Sequence, residues 1–518
     1  MEAPLQPRRQ LFPILLTLVA AYLLFDLGVL AFRTFADVLD YRDARYPDSA
    51  VLLVIANLVK SGRIYTDIHL PPYLPSVYGP FYYVLLSLPY RLAMMLGTDP
   101  TVVLRITTLL FSLGCFGVIV VITRRIGASP GTGLVAALLA AEGLWEGGAA
   151  TVSLRPDLVA LFFSLLAVLL CLDEARKGAW IAGAVSAGLA LLCKQTFVAA
   201  PVAILLWLIW RRRFRAAAWW LLVTALTAGG GYALFIWREP LSRQVFAALS
   251  RPILEYRGAV QFALDAGHHL TAPLFFLGLI FLWRARDERT TLLMLYIVLA
   301  WGVALATIGQ IGGAANYFYE PLMVSAPLAA VVLRWLDHEQ RRSGVALSVL
   351  LALLLIPVLR PRVARAMAET RGIYDYKVKG HAGKKARWEK LRSVLAGRHL
   401  LARDPEIAVW GSPPEMPDPF LNRVLEAAGK WSYDPIVRAA EQGGYEAVVV
   451  PDGFMDDTEG FRGLIPWTPE LLAAVRRRYE FVCMMDQTDV WLPRGRSELR
   501  QQLASADCVD PGHPAALH

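Results

Sequence analysis

The chain has 518 residues, of which 56% are hydrophobic and only 18% charged, with a mean hydropathy of +0.45; soluble domains carry about 25% charged residues. A single soluble core of that composition would leave large apolar patches in water. This excludes an ordinary cytosolic enzyme, a disordered protein and a disulfide scaffold, and leaves a polytopic α-helical membrane protein. The net charge of +9 belongs in the loops of such a protein and does not argue for nucleic acid as a partner.

Apolar runs approaching the roughly 20 residues that cross a bilayer begin at Leu11 and recur to Leu359. In chain order the expected spans are 11–32, 102–123, 132–151, 156–172, 179–193, 197–210, 216–237, 270–283, 291–309, 318–335 and 345–359. The first is long and lacks an A-x-A site, so it is not a cleaved signal peptide. One further run, 77–96 (VYGPFYYVLLSLPYRLAMML), is decided by positive charge. If it crosses, the arginines at 124–125, 211–215, 284–289 and 341–342 fall opposite Arg8 and Arg9. If it lies in the interface, all of them fall on the cytoplasmic side. Pro80 and Pro89 interrupt the run, and Tyr78, Tyr82, Tyr83 and Tyr90 suit the headgroup layer. The reading is therefore about 11 transmembrane helices over 1–360, with a cytoplasmic N-terminus and a first outer loop, 33–101, that carries interfacial helices.

The tail, 361–518, is polar and read as a C-terminal extracytoplasmic α/β domain. EIAVWG (406–411) and YEAVVVPD (445–452) are expected as buried strands, 434–443 and 469–478 as helices, and YEFVCMM with DVWLP as a closing strand pair. Residues 365–395 are strongly basic, which fits either a lipid-headgroup contact or a solvated linker. Cys115, Cys171 and Cys193 sit in apolar runs as small hydrophobes. Cys483 and Cys508 fit a disulfide in an extracytoplasmic tail and equally two free thiols.

Charge close to the bilayer is the functional signal. The first outer loop holds Asp37, Asp40, Asp43, Asp48 and Asp67. Asp48 opens the amphipathic stretch DSAVLLVIANLVKSG, so a helix cap competes with an acid–base role. Asp157, after Arg155 and Pro156, opens an apolar helix at the outer end of a span, where a cap is again the plain reading. On one face, however, two carboxylates can deprotonate an acceptor hydroxyl or hold a divalent ion near phosphate. Lys194 and Gln195 close a span on that face, and a lysine there contacts phosphate or snorkels. Gln310, Asn316, Tyr317 and Glu320 follow a Gly-rich turn. His268 and His269 are adjacent, either as metal ligands or as interfacial residues. No nucleotide loop, H-E-x-x-H or G-x-S-x-G motif is present.

Taken in order, Gly62-x-x-Tyr65-x-Asp67, Tyr78-Gly79-Pro80, Arg155-Pro156-Asp157, Lys194-Gln195-Thr196 and Asn316-Tyr317-Phe318 resemble the GT-C superfamily of integral membrane glycosyltransferases. Its relatives include bacterial protein O-mannosyltransferases and lipid A aminoarabinose transferases. The resemblance covers about 11–335, and the tail is similar to the outer domains appended to these enzymes. It implies transfer of a sugar from a polyprenyl-phosphate donor to a hydroxyl on a lipid, polysaccharide or protein acceptor. A first-loop aspartate would act as general base or metal-linked carboxylate: Asp48 by its distance before Gly62, then Asp43. Asp157 matches the second acidic position and Lys194 a phosphate contact, with Tyr65, Asp67, Tyr78, Arg155, Gln195, Asn316, Tyr317 and Glu320 on the substrate. No cofactor is required unless it is a divalent cation, Mg or Mn. The location implied is the inner or plasma membrane. A transporter or flippase of lipid-linked sugar is the competing reading, and it would place charge deeper in the bundle.

Overall fold

The structure, a computed structural model, describes residues 11–42, 48–144, 148–172, 177–249, 256–272, 274–276, 287–310, 312–343, 363–416, 418–456 and 465–508. Asp43 and the expected span 345–359 lie outside these residues, as does part of 270–283.

The N-terminal part is a helical bundle: α1 (Leu11–Leu39), α2 (Asp48–Ser61), α3 (Pro80–Leu96), α4 (Pro100–Arg125), α5 (Pro130–Glu142), α6 (Gly148–Val152), α7 (Asp157–Leu172), α8 (Lys177–Cys193), α9 (Ala199–Trp210), α10 (Phe214–Arg238), α11 (Ser242–Leu249), α12 (Arg257–Gly267), α13 (Glu288–Thr307) and α14 (Tyr319–Ser343). Local chemistry sets several starts. Asp99 caps α4 by accepting from the Thr101 N–H, and Ser129 caps α5 from Thr132, each followed by a proline whose missing N–H costs nothing there. Among the described residues, Thr17–Leu39, Pro100–Arg125, Phe214–Arg238 and Glu288–Thr307 are long and apolar enough to cross a membrane; α5, α7, α8 and α9 are apolar but shorter. The expected span 132–151 is divided between α5 and α6.

The two ends of the bundle differ in charge. At one end Arg289 donates to the Arg125 carbonyl at 2.7 Å, and Arg211 pairs with Glu288, whose carbonyl accepts from Trp207 Nε1 at 2.9 Å. Three of the arginine clusters therefore share an end. At the other end Arg105 donates to the carbonyls of Asp37, Asp40 and Arg42 at 3.0, 2.7 and 2.5 Å. The Gly79 N–H donates to Cys193 O at 3.0 Å. Gly79 precedes α3, Arg105 follows it, and both are fixed at this second end. The run 80–96 thus returns to the end it left.

The tail adds a four-stranded sheet, among the described residues, of order β1-β2-β4-β3: β1 (Leu400–Ala402), β2 (Ala447–Pro451), β3 (Tyr479–Met485) and β4 (Thr488–Pro493). β1 is parallel to β2, and β4 is antiparallel to both β2 and β3. β3 and β4 are joined by Asp486 and Gln487, both at positive φ (46° and 64°), the backbone a tight hairpin needs. The helices expected near 434 and 469 form over Asp434–Glu441 and Pro469–Arg478. The strand expected at 406–411 does not form. Pro405 starts a helical turn, Pro405–Ala408, closed by Ile407 and Ala408 N–H groups on the Asp404 carbonyl, and the edge strand lies earlier at 400–402. A short apolar run gives the same periodicity signal in either conformation. Cys483 and Cys508 form a disulfide. The tail docks on the first loop: Met416 N–H donates to Pro72 O and Asn422 Nδ2 to Tyr73 O, each at 2.9 Å.

Candidate functional site

At the second end of the bundle three segments meet. Pro156 supplies the first turn of α7, and Asp157 is its first residue, with Ala160 N–H on Pro156 O at 2.8 Å. Lys194 terminates α8, its N–H on Ala190 O at 3.0 Å. Asn316 and Tyr317 lie in a 3-10 turn, Ala315–Phe318, that the chain enters after Gly312 at φ 89°. A non-glycine residue at that φ is strained.

The side chains converge. Lys194 Nζ lies 2.6 Å from Asp157 Oδ1, and Asn316 Nδ2 donates to the same oxygen at 2.9 Å. The Lys194 ammonium also stands 4.8 Å from the centre of the Tyr317 ring. Asp157 is 4% exposed and Lys194 9%. At that burial neither charge is tolerable alone, so the pair is held by mutual neutralisation. The pair borders a small open cleft with Asn316, Tyr317 and Glu320, backed by Phe197 and Ala304. Glu320 accepts from Tyr296 Oη at 2.9 Å.

Asp48 lies one layer behind. It is fully enclosed; its Oδ1 accepts from Ser153 Oγ at 2.9 Å and Leu154 N–H at 2.8 Å, and its Oδ2 is 3.8 Å from Arg105 Nε. Burial raises its pKa above the ordinary carboxylate value, against the opposing pull of Arg105 and the two hydrogen bonds. Asp48 therefore ties the head of α2 to the turn that delivers Asp157 three residues later. Tyr78 stands amid the charges of Arg155, Asp157, Asp418 and Asp48, its phenol pKa raised chiefly by burial. Next to it, Gly79 permits a close approach: a Cβ there would meet Leu192 O at 2.0 Å.

Other expected residues stand elsewhere. Tyr65 is buried against Phe246, with its N–H and that of Ile64 on Glu239 Oε2, both at 2.8 Å. Asp67 accepts the His69 N–H at 2.9 Å and shapes a turn. Gln195 is exposed, and its neighbours Thr196 and Phe197 line the cleft instead. His269 is buried, with Nδ1 2.9 Å from Glu142 O. Arg105 and Glu239 were not anticipated. Both are charges inside or ending apolar runs, which is the signal that would have found them. Among the described residues no group of three His, Cys, Asp or Glu side chains is placed to hold a metal ion, and Asp157 Oδ1 faces an ammonium.

The family model for dolichyl-phosphate-mannose-protein mannosyltransferases matches residues 83–236. Among solved structures the chain is similar to ArnT from Cupriavidus metallidurans bound to undecaprenyl phosphate, at 15% identity over 93% of this chain and 98% of that one, with a TM-score of 0.57. The apo state of ArnT gives 14% identity over 91% and 98%, with a TM-score of 0.56. The Archaeoglobus fulgidus oligosaccharyltransferase in complex with Zn and sulfate gives 13% identity over 92% and 72%, with a TM-score of 0.50. No curated protein matches the chain. The family match and these folds all fall within the GT-C superfamily of integral membrane glycosyltransferases, the resemblance carried by the motifs.

Proposed function

We propose, from this GT-C fold, that the chain transfers a sugar from a polyprenyl-phosphate carrier to a hydroxyl acceptor at the cleft end of the bundle. The observation that supports this most is Lys194, an ammonium at the wall of a membrane-bundle cleft whose carboxylate partner, Asp157, is held in place by a second donor, Asn316. A donor phosphate brings a second anion to Lys194, while Asp157 keeps its hydrogen bond from Asn316. The acceptor oxygen then attacks the anomeric carbon. The bond to the phosphate oxygen breaks, its electron pair stays on the phosphate, and Lys194 neutralises the charge that develops. Tyr78 and Arg155 flank the path, and Tyr317 and Glu320 face the bound group.

The proton from the acceptor passes to a carboxylate, and the family resemblance points to the first loop. Asp48 is enclosed and tied through Oδ1 to the 153–154 turn, which suits positioning; that argument favours Asp43, five residues earlier, as the base. Asp157, at the wall of the cleft, is the second reading. The cleft lies at one end of the bundle rather than its middle, which favours transfer over transport. We place this end outside the cytoplasm, since the arginine clusters gather at the other end and a disulfide in the tail suits an oxidising compartment.

The test is donor turnover. The purified protein is reconstituted with a panel of radiolabelled polyprenyl-phosphate hexoses and pentoses and an envelope extract as acceptor. Wild type is run beside Asp43→Asn, Asp48→Asn and Asp157→Asn. Label moving from one donor, abolished in Asp43→Asn with donor binding kept, supports the reading. Loss in Asp157→Asn alone moves the base there. Lipid bound or flipped with no donor consumed overturns transfer in favour of a flippase.

A further inference from the structure

Residues 363–373 are helical and run into a wider π-type turn, Tyr374–Val378. One side of this segment is fixed to the last turns of α1. Arg33 donates to Ala366 O at 3.3 Å and pairs with Glu369 at 2.9 Å. Further on, Lys377 Nζ lies 2.5 Å from Asp37 and 2.6 Å from Asp40. Burial pulls the Lys377 pKa down, and the two carboxylates outweigh it and raise it. The segment therefore climbs beside α1 from the level of Arg33 to that of Asp40. At 1.5 Å per residue, Arg33 is about 9 Å below the end of the helix at Leu39.

Apolar side chains are exposed at that depth, beside the exposed Arg365 and Glu369. On α1, Phe35 is 63% exposed and Leu39 50%. On the outer side of the climbing segment, Met367 is 61% exposed, Tyr374 49% and Val378 38%, with Arg371 between them also exposed. These are apolar side chains at the level of a membrane-spanning helix's own lipid-type surface. A tyrosine, Tyr374, sits two turns above Met367, where aromatic rings favour the headgroup layer. Cations follow: residues 363–385 hold six Lys and Arg against two acids. Lys377 is engaged by Asp37 and Asp40, and Glu369 is neutralised by Arg33. Arg371 and Lys385 lie 4.0 and 3.8 Å from the surface carboxylates of Asp375 and Glu389, and the segment keeps a positive excess.

We propose that this segment is a lipid-docking surface: Met367, Tyr374 and Val378 enter the outer acyl and headgroup boundary while the cations bind anionic phospholipid headgroups. The arrangement is that of an interfacial amphipathic element with basic flanks. Its occupant is a lipid surface, because the apolar side chains lie along a spanning helix and the excess charge is positive where phosphates stand. Through Lys377 the same contact steadies the start of the first loop, whose backbone Arg105 of α4 holds independently.

The test uses the full-length protein in nanodiscs of phosphatidylcholine, with and without phosphatidylglycerol. Met367→Cys is labelled with an environment-sensitive NBD probe, the three unpaired native cysteines being buried. Blue-shifted emission, quenched by lipids with a nitroxide near the headgroup, is expected. Phosphatidylglycerol retained through delipidation should fall about fivefold for each cation removed in Lys379→Gln and Lys379→Gln/Lys385→Gln, the ratio expected of a Lys at an anionic surface. Val378→Cys serves as an independent probe position. Water-like emission at both positions overturns the proposal. Membrane-like emission with phosphatidylglycerol retention unchanged by either variant overturns the headgroup part, leaving an apolar contact only.

Discussion

Lys194 and Asp157 are each too buried to stand charged alone, so single and paired substitutions separate folding from donor binding. Lys194→Met leaves the Asp157 carboxylate unpaired and is expected to cost about 3–5 kcal/mol of stability. Lys194→Met/Asp157→Asn removes both charges and should recover most of that loss. Affinity for a polyprenyl-phosphate donor should fall in both, by one to two orders of magnitude, as for a lost charged hydrogen bond of about 1.5–3 kcal/mol. Thermal unfolding in detergent and donor titration check the two halves; donor affinity restored in the double variant would remove Lys194 from the phosphate site. Gly79 is the second residue on which the cleft rests. A Cβ there would meet the Leu192 carbonyl oxygen at 2.0 Å, and backbone cannot yield as a flexible side chain does. Gly79→Ala should push α3 away from the end of α8, costing about 1–3 kcal/mol and displacing Lys194, so that turnover falls further than stability. Such residues were legible where polarity interrupts an apolar run: Asp157, Lys194 and Asn316 were all found that way. Asp48 was found too, but its partners are a Ser153 hydroxyl and a backbone N–H, which sequence does not show. Arg105 escaped notice inside the apolar span 102–123, yet its guanidinium reaches three loop carbonyls.

At the scale of the element, the tail sheet contains a pH-sensitive pair. Asp489 on β4 stands opposite Val450 of β2, near Asp452. Burial, and then the Asp452 charge, raise its carboxyl to about 6 from 3.8. A folded-state pKa above the unfolded one means the native protein binds more protons between those values, so this group's contribution to stability is lost as pH rises from about 4 through 6. Asp489→Asn should unfold at a higher temperature than wild type at pH 7.5, with the advantage disappearing below pH 4. Melting curves across that range decide it, and parallel curves would mean the carboxyl titrates normally. The sheet also marks where sequence reading fails. β2, β3 and β4 are apolar runs closed by turn residues and were expected where they lie. β1 is three residues long, Leu400–Ala402, shorter than any pattern can identify. The more apolar stretch at 406 attracted the assignment, although Pro405 had already committed it to a helical turn.

For the whole molecule, the decisive inference is one of parity. Composition gave a membrane protein, but the side of the membrane on which the cleft lies depends on whether residues 77–96 cross. The arginine clusters argue that they do not, and Gly79 and Arg105, on either side of α3, are held at one end, with Arg289 on the Arg125 carbonyl and Arg211 on Glu288 at the other. Arrangement in space follows from parity because each crossing exchanges the ends. One misplaced helix would carry Asp157, Lys194 and the tail to the cytoplasm, away from any carrier sugar displayed outside. The prediction is therefore sided labelling. Ser61→Cys on α2 and Gln442→Cys in the tail, both exposed, should react with an impermeant maleimide in right-side-out vesicles. Arg215→Cys, exposed at the opposite end, should react only in inside-out vesicles. The reverse pattern would put the cleft in the cytoplasm and require a cytoplasmic donor. If Ser61→Cys and Arg215→Cys were labelled from the same side, α3 would have to cross, and the arginine clusters would fall on the side opposite Arg8 and Arg9.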